Sequence, residues 1–320
     1  MKVLYIGPCD QRYKTEYSIK KALERQGHEV HCFNDRKVRR LHWRKAQDRL
    51  LRVAERLLPD LVFLGKSSRV ELQTLEELTH GRRALMWYFD IRVPPHKETV
   101  DRARLVDYFF VTNCGQLKTY RSLGVRRVYF LPQACDRDLH RPVKSHRRRW
   151  ASDVAFIGTA YGEDERLVLM KEISRRFDLK IWGSRWEKWK DELPVQGKRV
   201  LGRNYARVCS AAKIIIGVNR YNSIDLCFSN RVWLTLGCGG FMLTHYVPGL
   251  EEIFENHKHL VWFKEVGECL DLIRYYLNHD LDRQRIAAEG YKFVHQYHTY
   301  DHRVEELLKI IGDEVASHYG

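Results

Sequence analysis

Two groupings of arginine and glycine in the second half of the chain have the make-up of an anion site. Gly158 and Thr159 close the apolar run DVAFIG, and Arg166 follows within one helical start. Ser229, Asn230 and Arg231 stand before the stretch VWLTLGCGGFMLT, which contains Gly237, Gly239 and Gly240. A helix start presents unpaired N–H groups and the positive end of its dipole, and glycine lets a ligand approach the backbone closely. A guanidinium adds planar charge matched to phosphate oxygens. Such groupings suit a phosphorylated ligand. The plainer alternative is a tightly packed helix–strand turn that holds nothing.

A third candidate is Asp90, which follows ALMWYF and precedes Pro94 and Pro95. A carboxylate beyond a strand's carboxyl end can take a proton or accept a substrate hydroxyl. An ordinary turn aspartate is the alternative. His295, His298 and His302 lie at helical offsets of three and four, a spacing open to zinc. No cysteine or carboxylate pattern accompanies them, so aromatic helix packing is preferred. No DxD-type motif stands in a suitable loop, and no essential metal or tightly bound cofactor is expected. GxGxxG and GxxxxGK[ST] are missing, which disfavours a dinucleotide dehydrogenase and a P-loop kinase.

Placing these residues requires an alternation of strands and helices. KVLYIG, HEVHCF, LVFLG, ALMWYF, YFFVTN and RRVYFLPQA read as strands of the first half. Helices are expected near 17–26, 71–79 and 116–122. The segment RKVRRLHWRKAQDRLLRVAERLLPD places Trp43, Ala46, Leu50, Val53, Ala54, Leu57 and Leu58 at helical spacing, with arginine and lysine over the remainder. Such a helix can meet phosphate, lie on a membrane surface, or cover a sheet with a solvated face. DVAFIG restarts the alternation, and LKIWG, RVLG, KIIIGVN and FML follow. GLEEIF reads as another helix start with acids in its first turn. The expected division is 1–145, 146–300 and a final helix over 301–320 that packs back toward the first domain.

The totals bound the class. At 320 residues two domains are expected, since single cores stop growing near ~250–300 residues. No run approaches the ~18 apolar residues of a membrane span. Eight scattered cysteines without a CxxC pair point to a reduced, cytoplasmic setting. Residues 1–150 hold 33 Lys and Arg against 17 Asp and Glu, and residues 151–320 hold 23 against 24. The first half therefore carries +16 and the second −1, which suggests that the first half meets a polyanion or an anionic membrane surface. Charge kept only for solubility is the alternative.

In order along the chain, DVAFIGT with Arg166, KIIIGVN, SNR with LGCGGFMLT, GLEEIF and HTYDHRVEELL resemble the CgeB-like, spore-maturation branch of the group 1 glycosyltransferases. The motifs cover about 150–312; the first half matches by architecture. The resemblance implies an α/β chain of GT-B type, with two facing Rossmann-like domains, parallel sheets and a cleft between them. It implies a nucleotide-diphosphate-sugar donor, UDP-sugar first, held by the second domain. By position, Gly158 and Thr159 fall near the diphosphate and Arg166 and Arg231 neutralise it. Asn219, Ser229 and Asn230 offer hydrogen bonds, Gly239 and Gly240 admit the backbone, and Trp182 and Gly183 sit where a base stacks. Leu234 stands where relatives often carry a ribose-binding glutamate, so Glu251 is the substitute.

Three functions follow from this reading. The first is a glycosyltransferase acting on an anionic hydroxyl acceptor such as DNA with a hydroxymethylated base, with Asp90 as base and Arg40, Arg44 and Arg92 on the acceptor side. The second acts on a surface, spore or lipid-linked glycan, with the basic helix on anionic lipid. The third is a nucleic-acid-binding protein on a degenerate GT-B shell, for which Leu234 speaks.

Overall fold

Short apolar runs build two parallel sheets, and the helices between them cover the faces. The computed structural model describes all residues except 39–41, 66–68, 145–147, 198 and 319–320, and the side chains of 313–318. The chain divides into two units, Met1–Gln133 with Tyr300–Gly320, and Ala134–Thr299.

In the first unit the strands are β1 (Lys2–Ile6), β2 (Glu29–Phe33), β3 (Leu61–Leu64), β4 (Ala84–Tyr88), β5 (Tyr108–Val111) and β6 (Val128–Phe130). Their order is β2-β1-β3-β4-β5-β6, with every pairing parallel. β3, β4 and β5 are buried along their whole length, which is why they read as unbroken hydrophobic runs. The helices are α1 (Thr15–Arg25), α2 (Trp43–Leu57), α3 (Leu72–Thr79), α4 (Lys97–Arg104) and α5 (Leu117–Ser122). α2 buries Ala46, Leu50 and Ala54 and exposes Arg44, Arg49, Arg52 and Arg56. It covers the sheet with its apolar stripe and keeps a solvated basic face.

The second unit holds β7 (Ser152–Ile157), β8 (Leu179–Trp182), β9 (Val195–Gly197), β10 (Ala212–Gly217), β11 (Met242–His245) and β12 (Val261–Phe263). The order is β12-β11-β10-β7-β8-β9, again parallel. Its helices are α6 (Glu165–Ser174), α7 (Arg203–Ala211), α8 (Arg231–Gly237), α9 (Val266–Asn278) and α10 (Asp280–Tyr297). Alternate residues of β7 feed the two faces: Val154 and Phe156 join one core cluster, Ala155 and Ile157 the other. The last helix, α11 (Tyr300–His318), lies in the first unit, where Asp301 accepts hydrogen bonds of 2.6 and 2.8 Å from Arg25 of α1.

Several expectations need correction. RVLG is not a strand; the edge strand is Val195–Gly197, and β12 was not foreseen. GLEEIF forms one 3-10 turn, Leu250–Glu252, rather than a helix. Cys9 and Cys32 form a disulfide, because parallel pairing of β1 with β2 sets the loop after Ile6 beside Phe33. No helix among the described residues is long and apolar enough to cross a membrane. The unit boundary lies ahead of the basic segment 137–149, which therefore belongs to the second unit. Divided by folded units, the chain carries 29 basic against 20 acidic residues in the first unit and 27 against 21 in the second. The charge contrast of +16 and −1 becomes +9 and +6, so excess positive charge is shared by both units.

Candidate functional site

In an open α/β sheet, ligands bind beyond the carboxyl ends of the strands where the strand order reverses. In the second sheet that reversal falls between β7 and β10: β8 and β9 continue to one side of β7, β11 and β12 to the other side of β10. Arg166 lies on this line. Only 2% of it is exposed, and its guanidinium donates to the carbonyl oxygen of Thr159 beyond β7 and to that of Val218 beyond β10. Arg231, at the start of α8, donates to the carbonyl of Ile157 at 2.8 Å. Both guanidiniums lie 5.5 Å from the ring centroid of Phe156.

Neither arginine forms an ion pair with a carboxylate among the described residues, and the Nε of each is buried without a partner. Two adjacent cations in low dielectric disfavour each other. Burial, and then the nearby Arg231, push the Arg166 guanidinium down to about 10. Burial also lowers Arg231. An unpaired cationic pair of this kind costs folding energy and has charge to spare for a dianion.

Gly158 makes the arrangement possible. A Cβ there would stand 2.2 Å from Nη1 of Arg231 and 2.6 Å from the Phe156 ring. Its carbonyl accepts a 2.7 Å hydrogen bond from the Trp186 indole, which fixes this corner from below. Gly183 sits so close that a Cβ would stand 1.7 Å from the Gly158 carbonyl oxygen.

The polar residues divide in role. Asn219 links three segments: its amide donates to the His245 carbonyl at 3.3 Å and its oxygen accepts from Ser229 N at 2.9 Å. It organises the site more than it offers free groups. Ser229 Oγ accepts from Arg231 N at 3.4 Å, and the buried side-chain oxygen of Asn230 has no partner. Glu251, beyond β11, is exposed and accepts from the Tyr246 hydroxyl at 3.0 Å. Leu234 packs against the core.

Three expected positions do not join this group. Trp182 is 3% exposed with its ring 6.0 Å from Trp150, so it has no face to offer a base; its place on β8 turns it into the core. Gly239 and Gly240 precede the amino end of β11, whereas the Arg166 and Arg231 guanidiniums contact backbone carbonyls at the carboxyl ends of β7 and β10. Gly239 has φ +71° and its Cβ position meets Pro142, while that of Gly240 meets Thr235 and Cys209. The turn is a packing device on the opposite edge of the sheet. The helix start after Gly158 is also taken, since Asp164 caps α6 by accepting from Leu167 N at 3.1 Å.

In the first unit Asp90 lies half-buried just beyond β4, and Arg92 is exposed in the same loop, its carbonyl accepting from Gln116 at 2.6 Å. Arg44 is exposed in the first turn of α2; Arg40 lies outside the described residues. His295 bonds to backbone carbonyls of His140 and Gly237, and His298 packs on Trp233 and Phe293. Sequence reasoning missed Tyr161, Arg220 and Glu16. Tyr161 is 48% exposed among arginines. Glu16 is buried at the β1–β3 reversal of the first sheet, where burial raises its carboxyl. The phrases AYGEDER and VNRY, directly after two strands, were the signal for the first two.

Residues 166–309 match the family described as glycosyl transferase-like. Over 335 aligned positions the chain is 24% identical to "Spore protein CgeB" of Bacillus subtilis, covering 97% of this chain and 98% of that one. The chain therefore resembles CgeB over nearly its whole length and the glycosyl transferase-like family from Arg166 onward. The likeness takes in the first unit as well, beyond the reach of the motifs. Among solved structures, Anabaena Alr3699/HepE in complex with UDP and glucose matches with a TM-score of 0.67 at 11% identity, over 98% of this chain and 100% of that one. T4 phage BGT in complex with its UDP-glucose substrate matches at 0.61 and 13%, over 97% and 98%. These likenesses concern the fold, which is GT-B: two Rossmann-like units, each with a six-stranded parallel sheet. The family match begins at Arg166 and spans Arg231.

Proposed function

We propose that this chain transfers a sugar from a UDP-sugar to a hydroxyl acceptor, with the donor diphosphate held by Arg166 and Arg231. The observation that carries this reading is the pair of guanidiniums at the β7–β10 reversal, neither of which forms a carboxylate ion pair among the described residues. Sugar transfer builds negative charge on the leaving diphosphate and positive charge at the anomeric carbon. Fixed guanidiniums in a site sheltered from water stabilise the first without reorganising during the reaction. No essential metal is part of the proposal. Asn230 and Thr159 supply further hydrogen bonds to the donor, Ser229 and Asn219 hold the start of α8 in place, and Glu251 takes the ribose in the absence of a glutamate at Leu234.

The acceptor belongs to the first unit in this reading, with Asp90 taking the hydroxyl proton in an inverting reaction. The exposed arginines of α2 and Arg92 favour an anionic acceptor, with hydroxymethylated-base DNA as the first choice. A surface or lipid-linked glycan is the second reading, favoured by the spore protein to which the chain is similar. Plain DNA bound with a steep salt dependence favours the first, and sedimentation with anionic liposomes without DNA binding favours the second.

Thermal shift against UDP-, GDP-, ADP- and dTDP-sugars tests the donor. At a hundred times its Kd, a ligand of the native state adds about 2.7 kcal/mol, so the matching donor should raise Tm by several degrees. No response to any donor, together with no donor hydrolysis, would favour a binding protein on a degenerate GT-B shell.

A further inference from the structure

The Arg166–Arg231 pair is the inner end of a longer array. Arg231 and Arg166 flank Phe156. Arg166 then lies 4.7 Å from the ring centroid of Tyr161, Arg220 lies 5.1 Å from that same ring, and Arg220 also lies 5.3 Å from Tyr221. Cations and rings alternate along the array, from the half-buried Arg231 through the buried Arg166 to the exposed Arg220. No carboxylate pairs with any of the three guanidiniums among the described residues.

Ring faces hold cations weakly where water reaches, at roughly 0.5–1 kcal/mol for an exposed pair. A phosphate oxygen offers a stronger, charge-assisted partner. Arg220 follows Asn219 just beyond β10, so its backbone is anchored at the reversal by the Asn219 bracket while its side chain rests on Tyr161. Asn222 is tied to Glu165 at 3.3 Å, which fixes the loop on its other side. The inner two arginines spend donors on backbone carbonyls; no hydrogen bond of Arg220 to a carbonyl is among those of the described residues.

We propose that Arg220 is a third anion-binding residue of this site, which leaves Tyr161 to contact the diphosphate of the donor, and that Tyr161 is its positioning residue. The proposal rests on the donor reading above. It assigns the ligand class as a diphosphate rather than a monophosphate, since three guanidiniums in a row span more than one phosphate group.

The test is isothermal titration of the full chain with inorganic pyrophosphate, UDP and UMP, using wild type, Arg220→Ala, Arg220→Lys and Tyr161→Leu. Arg220→Ala should weaken pyrophosphate and UDP by about tenfold and UMP by about threefold or less. Arg220→Lys should restore part of the loss, and Tyr161→Leu should fall between wild type and Arg220→Ala. Circular dichroism melts of these surface variants should match wild type. Pyrophosphate and UDP affinities unchanged by Arg220→Ala, or equal losses for UDP and UMP, would overturn the assignment. Arg220-dependent pyrophosphate binding without UDP binding would uphold the anion site and remove the nucleotide-sugar reading. Failure of wild type to bind either compound would overturn both.

Discussion

Replacing Arg231 with Met should leave the chain as stable as before, or more so, while weakening UDP at least tenfold and slowing transfer about a hundredfold. The two effects have separate physical origins. Arg231 is half-buried, its Nε is buried without a partner, it has no carboxylate ion pair among the described residues, and burial lowers its pKa. Met keeps much of the side-chain volume against Phe156 and removes the charge, and exchanges of buried ionic groups for apolar ones are often neutral or stabilising by ~1–4 kcal/mol. A hydrogen bond to a charged group contributes ~1.5–3 kcal/mol, which sets the binding loss between about tenfold and a hundredfold. Loss of one fixed donor at a developing anion costs ~10²–10³ in rate. Chemical denaturation and UDP titration measure the two quantities on the same preparations. A large fall in stability with UDP affinity intact would make Arg231 a structural residue and leave the diphosphate without its main partner.

Gly183→Ala should have the largest effect on stability of any single methyl addition near the site. The added Cβ would stand 1.7 Å from the Gly158 carbonyl oxygen and 2.6 Å from its carbonyl carbon, so backbone must move. Overpacking against flexible side chains costs ~1–3 kcal/mol, and a rigid backbone neighbour puts this case at the upper end or beyond. The displacement falls on Gly158, which carries the Trp186 hydrogen bond beneath it and the Arg231 guanidinium against it. Urea denaturation should therefore show a loss of about 3 kcal/mol in the transition of the second unit, with UDP binding weakened in the fraction that folds. Wild-type stability and affinity in this variant would mean that the close approach of β7 and β8 does not hold the site.

Much of the fold was readable because its strands are buried on both faces. Runs such as LVFL, ALMWY and III carry no charged residue to confuse their period, and each lies within a strand. The strands that escaped notice, Val195–Gly197 and Val261–Phe263, have only three residues each, two of the first being exposed. GLEEIF misled because acids after a Pro-Gly pair look the same before a helix as before a single 3-10 turn.

The site was legible in its residue types and less so in its placement. Arg166 and Arg231 have the chemistry an anion site needs, and the sheet order brings their guanidiniums to one ring, Phe156. Gly239 and Gly240 have the same local signature as Gly158, yet they lie before a strand and Gly158 lies after one. Which edge of the sheet a glycine occupies depends on whether it precedes or follows its strand, and that distinction outweighs glycine content. Trp182 failed for a related reason, since a one-residue change along β8 turns a side chain from one face to the other. The charge argument failed because it cut the chain at 150, whereas the folded units assign the net +4 of residues 134–150 to the second unit and the net −3 of Tyr300–Gly320 to the first.

The central claim is that a sugar-nucleotide diphosphate rests on two arginines at the carboxyl edge of β7 and β10. A crystal structure of the chain grown with UDP tests it most directly. The account predicts diphosphate oxygens within hydrogen-bonding distance of the Arg166 and Arg231 guanidiniums, beside Gly158. UDP bound at the Gly237–Gly240 turn, or anywhere that leaves both guanidiniums without a phosphate partner, would contradict it.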